Sequence, residues 1–371
     1  MDEIIITSVE IYKLLLPLKE PFVISLGPVN SVENIIIHIV TNKGLVGVGE
    51  CSPYMTINGE SVDTCFIVAQ YFAKILKGSN AIDIEGCIAK MDSIIYGNSS
   101  IKSAFDMALY DIASQHAGVP LYKFLGGAKN KILVTDMTVS IGSPEKMASD
   151  ALKFKQHGFP AIKVKLGQEK DLDVKRIKAI RNAVGNDIPL RIDANQGWGT
   201  AQNAIEILLA LSEYNIEHCE EPISRWRFME LNTVSNASPI PIMADESCGD
   251  DHDAERLINL KACKMFNIKL GKSGGIFKAL KIIEASSKAN IHIQIGGFME
   301  SRIGMTASAH LALTNDLIQH CDFDTPLMFV DDPVENGIVY KSGGVIDVPE
   351  LPGLGARVSK KFLNNAIKVI V

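Results

Sequence analysis

Little in this sequence points to a membrane, an oxidising compartment or a polyanionic partner. No stretch reaches the roughly 20 consecutive apolar residues that a membrane-spanning helix requires, and the early run "IIITSVEIYKLLLPL" is broken by polar residues. No basic start or small-residue cleavage site accompanies it, so a secretory signal is not expected. The seven cysteines are odd in number, scattered and without a C-x-x-C pair. That argues against a disulfide framework and a thiolate zinc site, and they read as small buried hydrophobes in a reducing compartment. The eight histidines show no metal-ligand spacing, and a net charge of -6 offers no footprint for nucleic acid or a membrane surface. The segment "LGKSGG" fails as a phosphate-binding loop because the required first glycine falls on Phe266. A cytoplasmic protein is expected, in which the sequons at Asn98 and Asn236 carry no meaning.

What is present is a change of rhythm. At 371 residues the chain exceeds one ordinary domain. "IIITSVEIYKLLLPL" and "VENIIIHIVTNKGLVGVGE" read as strands, the second folding back at Asn42–Gly44. Between them "KEPFVISLGPVNS" reads as a loop free to move. From about 60 to 125 apolar residues recur at helical spacing, ending with Gly118 ahead of Pro120. From about 131, short apolar strands alternate with amphipathic helices, the pattern of parallel βαβ units. An open doubly wound sheet and a closed barrel both fit that pattern. Polar residues close the successive strands at Lys163 and Lys165, Asp193, Glu220, Asp245, Lys269, Gly296 and Asp322, at intervals between 24 and 30 residues. In a barrel all of these converge on one mouth, whereas an open sheet strings them along an edge. The expected fold is therefore α/β, a (β/α)7β or modified TIM barrel with an N-terminal α+β capping domain. The expected division is 1–127 for the cap with a lid over about 20–32, 128–325 for the barrel, and 326–371 for a segment returning to the cap.

The ladder carries chemistry. Singly, Asp193, Glu220 and Asp245 could each be a strand-end or helix-cap carboxylate. Brought together and buried, they repel one another, and a divalent cation relieves that repulsion. Oxygen-only ligands suit Mg²⁺. In "HCEEP" the ligand could be Glu220 or Glu221, since neighbouring strand residues face opposite sides. In "FPAIKVKLG" Lys163 and Lys165 share one side of a strand, and Lys269 in "NIKLGKSGG" lies across the barrel. A lysine beside another cation and near a metal ion is expected to hold its proton less tightly and so to act as a base. Two such bases on opposite sides of one carbon can invert it.

The set "IKVKLG", "RIDANQGW", "CEEP", "MADES" and "NIKLGKSGG" resembles the muconate-lactonizing subgroup of the enolase superfamily, over essentially the whole chain. The resemblance implies that Asp193, Glu220 and Asp245 bind Mg²⁺. It implies too that Lys165 and Lys269 are the opposed acid/base pair, with Lys163 lowering the proton affinity of Lys165. Within the subgroup, "HCDFDTPLM" matches the D-x-D pattern of dipeptide epimerases, whose carboxylates, here Asp322 and Asp324, take the dipeptide's α-ammonium group. Epimerisation at the α-carbon of the C-terminal residue is the expected reaction. The alternatives are an N-acylamino acid racemase, a succinylbenzoate synthase, or a non-catalytic metal-dependent binding protein on the same scaffold. Gly27 stands where alanyl-glutamate epimerases carry an arginine for the glutamate side chain. Either a charged side chain meets Lys19 or another cation, or the second residue is neutral or apolar. Phe298 and Met299 are expected to line that pocket, with Gly296 and Gly297 allowing close approach of substrate. The expected partner is a small-molecule dipeptide, with neither nucleic acid nor membrane, and a homo-oligomer is expected. His310 reads as a core histidine and Trp198 as a packing residue.

Overall fold

The structure, a computed structural model, describes residues 3–371. The amino-terminal part is an antiparallel sheet of β1 (Ile6–Ile24), β2 (Gly27–Thr41) and β3 (Val46–Cys51). The strand Ile367–Ile370, from the far end of the chain, adds to its outer edge against β1. Helices α1 (Val62–Leu76), α2 (Ile84–Ile94) and α3 (Ser99–His116) cover one face. Ser61 and Thr64 form a reciprocal capping box at the start of α1. α3 is buried along nearly its whole length, and it approaches β3 so closely that a Cβ on Gly49 would fall 1.9 Å from the Ala104 carbonyl oxygen. Only glycine fits there.

The stretch 20–32, expected as a loop, is instead the tip of a two-stranded hairpin. Phe22 pairs with Val29, Val23 with Pro28 and Ile24 with Gly27, around a turn at Ser25 and Leu26. Proline, glycine and serine recur through the segment, but only Ser25 and Leu26 turn the chain. The distal hairpin has two continuous strands, so Pro28, which lacks an N–H, costs no ladder bond to a third.

The second unit is an eight-stranded parallel sheet in sequential order: β4 (Met137–Val139), β5 (Ile162–Lys165), β6 (Leu190–Asp193), β7 (Ile216–Glu220), β8 (Ile242–Ala244), β9 (Met265–Lys269), β10 (His292–Gly296) and β11 (Ile318–Cys321). A parallel bridge from Thr135 to Cys321 brings the first strand to the last and closes the barrel. Helices separate successive strands, and apolar outward-facing residues such as Val164, Ile192, Phe266 and Ile295 pack beneath them. Among the described residues no helix is long and apolar enough to cross a membrane. All seven cysteines are buried and unpaired.

Candidate active site

The inward-facing positions of the barrel are polar in two layers. Lys165, Asp193, Glu220 and Lys269 form the upper layer at the strand ends, joined by Asp245 just past β8. Two residues deeper lie Lys163, Arg191, His218, Asn267, Gln294 and His320. Ligand atoms of Asp193, Glu220 and Asp245 lie within 4.8 Å of one another, all three residues buried. The three stand on neighbouring strands, so their approach follows from barrel register and not from any local motif.

β5 and β9 are four strands apart in a ring of eight, which places Lys165 and Lys269 on opposite sides of the mouth. Lys165 Nζ donates to Asp193 Oδ2 at 2.6 Å, and Lys269 Nζ to Asp245 Oδ2 at 2.7 Å. Each also faces an aromatic ring: Phe22 at 6.0 Å from Lys165 and Phe298 at 5.4 Å from Lys269. Lys163 is the buried hub below, 2.8 Å from both Glu220 and Asp322 and 3.3 Å from Asp193.

At Lys163 and Lys269 the neighbouring carboxylates decide how tightly the proton is held. Burial disfavours the charge on Lys163, but Asp322, Glu220 and Asp193 outweigh it and hold the ammonium well above its ordinary range. For Lys269 burial is likewise overcome by Asp245 and Glu220, and its proton affinity is raised. Reciprocally, burial and Asp193 oppose ionisation of Glu220, yet Lys163, Lys269 and Lys165 keep its carboxyl below the usual range. On Lys269 the like-charge effect of Lys163 is a smaller influence than that of Asp245 and Glu220.

The alternatives at 220 and 221 separate cleanly. Glu220 faces inward, accepting from Lys163 and from Asn267 Nδ2 at 2.8 Å. Glu221, with φ of 37°, turns away and accepts from the backbone N–H groups of Asp245 (2.7 Å) and Ser247 (3.2 Å). The donor set of Asp193, Glu220 and Asp245, three anionic oxygens from three rigid strand ends, fits a hard divalent cation.

Asp322 and Asp324 lie beyond β11, on the opposite side of the mouth from Glu220. Ligand atoms of these two and of Asp136 lie within 4.8 Å of one another. Gly27 is at the hairpin turn with φ of 122°, and open space surrounds the position of its missing Cβ. A cavity of about 460 Å³ lies beside it, walled by Leu26, Val29, Tyr54, Met55 and Met299. Its charged wall residues are all acidic: Glu33, Glu60 and Asp63. Lys19 is not on this wall and donates to the Leu327 carbonyl at 2.9 Å. At Gly296 and Gly297 the neighbours that would meet a Cβ are protein atoms, Asn267 Oδ1 at 2.9 Å and the Met305 methyl at 2.3 Å.

Several site residues went unread in the sequence. Lys272, dismissed with the failed phosphate-loop motif, is buried and donates to the Asp245 carboxylate and to the Asn267 carbonyl. Asn267, Gln294 and Arg191 were missed although the same period of two that joins Lys163 to Lys165 marks each of them. A third cluster, Glu217, His218 and His320, has metal-ligand geometry at the opposite end of the barrel. Arg191 already fills it, donating to Glu217 at 2.6 Å and lying 2.8 Å from His320 Nδ1. His310 accepts from Tyr122 N and lies 3.0 Å from the Leu354 carbonyl, a satisfied core histidine. Trp198 packs as expected and donates to Asp173.

Residues 6–126 match the mandelate racemase/muconate lactonizing enzyme N-terminal domain, and residues 146–362 match the enolase C-terminal domain-like family. A D-Ala-D/L-Ala epimerase of Cytophaga hutchinsonii is 56% identical over 99% of this chain and 100% of its own length. An L-Ala-D/L-Glu epimerase of Clostridium acetobutylicum is 38% identical over 95% of this chain and 98% of its own. The crystal structure of a Cytophaga hutchinsonii dipeptide epimerase with Mg and D-Ala-L-Val superposes with a TM-score of 0.98, covering 99% of this chain and 100% of that one.

Proposed function

Because this chain belongs to the dipeptide epimerases of the enolase superfamily, we propose that Lys165 and Lys269 exchange the α-proton of a dipeptide's C-terminal residue. The enzyme is an Mg²⁺-dependent isomerase. The observation that carries the residue assignment is the cross-shaped mouth. The two lysines occupy one diameter, and the Asp193/Glu220/Asp245 arc faces Asp322 and Asp324 along the other.

Asp193, Glu220 and Asp245 are the residues that would hold Mg²⁺. When bound, the ion supplies a partner for the substrate carboxylate and for the charge that builds on it, the arrangement general to the enolase superfamily. One lysine takes the α-proton as a neutral amine, and the opposed ammonium returns a proton to the other face. Lys163 acts from below, as a fixed positive charge between the metal-side and ammonium-side carboxylates. Asp322 and Asp324 hold the free α-ammonium of the dipeptide, which an N-acylated amino acid lacks.

The second residue's side chain is proposed to enter the cavity beside Gly27. Its apolar wall with acidic residues favours an alanine- or valine-like side chain and disfavours glutamate. The division at 1–127, 128–325 and 326–371, a cytoplasmic setting and a homo-oligomeric state belong to the same proposal; the buried, unpaired cysteines support the setting.

The test is deuterium incorporation from D2O, with Mg²⁺, into D-Ala-L-Ala, D-Ala-L-Val, L-Ala-L-Glu and N-acetyl-alanine, read by mass. A one-unit gain in the first two with little in the others is expected. Gain confined to N-acetyl-alanine would replace the dipeptide reading with that of a racemase.

A further inference from the structure

Asp136 precedes β4 and is buried next to the D-x-D pair. Its Oδ2 accepts from Arg191 Nη1 at 2.9 Å, and its Oδ1 has no hydrogen-bond partner. An unpartnered carboxylate oxygen in a closed barrel is costly unless something completes it. Asp322 and Asp324 likewise each spend Oδ2 on the protein, Asp322 on Lys163 at 2.8 Å and Asp324 on Thr138 N at 2.7 Å. Arg191 divides its guanidinium among Asp136, Glu217 and His320, and Lys163 divides its ammonium among Asp322, Glu220 and Asp193. Neither cation is available in full to the three carboxylates.

We propose that Asp136 is the third acceptor for the substrate's α-ammonium group, so that the site reads a primary amine through all three of its N–H bonds. This rests on the dipeptide reading above and deepens it. Three oxygens around one tetrahedral nitrogen at hydrogen-bond length stand about 4.6 Å from one another. The observed cluster, with one oxygen from each carboxylate within 4.8 Å of the others, is compact enough for a single nitrogen to reach all three. Arg191 is the strut that holds Asp136 in place: it ties that carboxylate to β7 and β11 and leaves Oδ1 free. A site with two acceptors leaves one amine substituent unconstrained, and a methyl group could sit there. A site with three does not.

The experiment compares D-Ala-L-Ala with N-methyl-D-Ala-L-Ala in the wild type and in Asp136→Asn. Asparagine keeps an oxygen for Arg191 and replaces the free acceptor by an N–H donor. In the wild type, N-methylation should raise KM about 10- to 100-fold, the range set by loss of one charged hydrogen bond. Asp136→Asn should raise KM for the primary amine by a similar factor, with kcat within a few-fold, and should shrink the penalty for N-methylation. The wild-type comparison needs no variant, so it stands even if Asp136→Asn folds poorly by thermal melting. An active wild type indifferent to N-methylation, or a folded Asp136→Asn with unchanged KM, overturns the role of Asp136 alone. A wild type that exchanges no dipeptide overturns the epimerase reading and this one with it.

Discussion

In the proposed mechanism Lys165 and Lys269 do equivalent chemistry on opposite faces, and their surroundings make them separable. Each is held by a different carboxylate, Asp193 or Asp245, and each faces a different ring, Phe22 or Phe298. Lys269→Ala should lower epimerisation by at least about 10³-fold, the upper part of the range for a lost acid/base group. Exchange of the α-proton with solvent should survive for the one substrate enantiomer whose proton faces Lys165, followed by NMR in D2O. Unchanged epimerisation would sink the two-base assignment. At this scale the sequence was readable wherever a polar residue closed a strand, as with Asp193, Glu220, Lys269 and Asp322. It was unreadable for Asp136, which precedes its strand and meets Asp322 and Asp324 only because the barrel closes between Thr135 and Cys321. Lys272 was hidden differently: it faces Asp245 from a four-residue helix, Leu270–Ser273, that follows β9 directly, and no strand periodicity reaches it.

Two elements of the amino-terminal unit lean over the mouth, and both rest on one barrel loop. At the hairpin tip Ser25 Oγ donates to the Asn195 carbonyl at 2.9 Å. Arg225, after β7, donates its backbone N–H to Gln196 Oε1 at 3.1 Å and sends its guanidinium to the carbonyls of Thr56 (3.0 Å) and Ile57. Thr56, Tyr54 and Met55 belong to the wall of the cavity beside Gly27. Asn195 and Gln196 both adopt positive φ, 40° and 69°, one residue past Asp193, whose carboxylate accepts from Asn195 N at 2.8 Å. Arg225→Gln should therefore loosen the segment over the cavity and raise KM several-fold with a smaller effect on kcat. Steady-state kinetics, with the exposed neighbour Trp226 as a fluorescence reporter, check this. A parallel fall of kcat with KM unchanged would assign Arg225 elsewhere. Composition alone made the hairpin tip look like a loop, because proline, glycine and serine suit turns. Its pairing starts afresh above a register shift between Pro17 and Phe22, around the turn at Ser25 and Leu26.

At the scale of the molecule, the rhythm of strand and helix from residue 131 onward was legible because most outward-facing strand residues are apolar and most inward-facing ones near the mouth are polar. That same interior stacks like charges, and binding of a divalent cation to the folded state should stabilise the whole protein. At 100 times its dissociation constant, Mg²⁺ should add about 2.7 kcal/mol, seen as a rise of a few degrees in Tm against EDTA. Glu220→Gln should remove most of the rise, and an equal rise in that variant would place the ion elsewhere. The closing strand Ile367–Ile370 has a consequence of its own. It pairs with β1 from Glu10 to Lys13, and every barrel strand is synthesised between the two. On the ribosome the outer edge of β1 therefore stays unpaired until all eight barrel strands have emerged. The sheet that carries the hairpin over the mouth is finished last, so a nascent chain acquires its catalytic barrel before it acquires a completed cover.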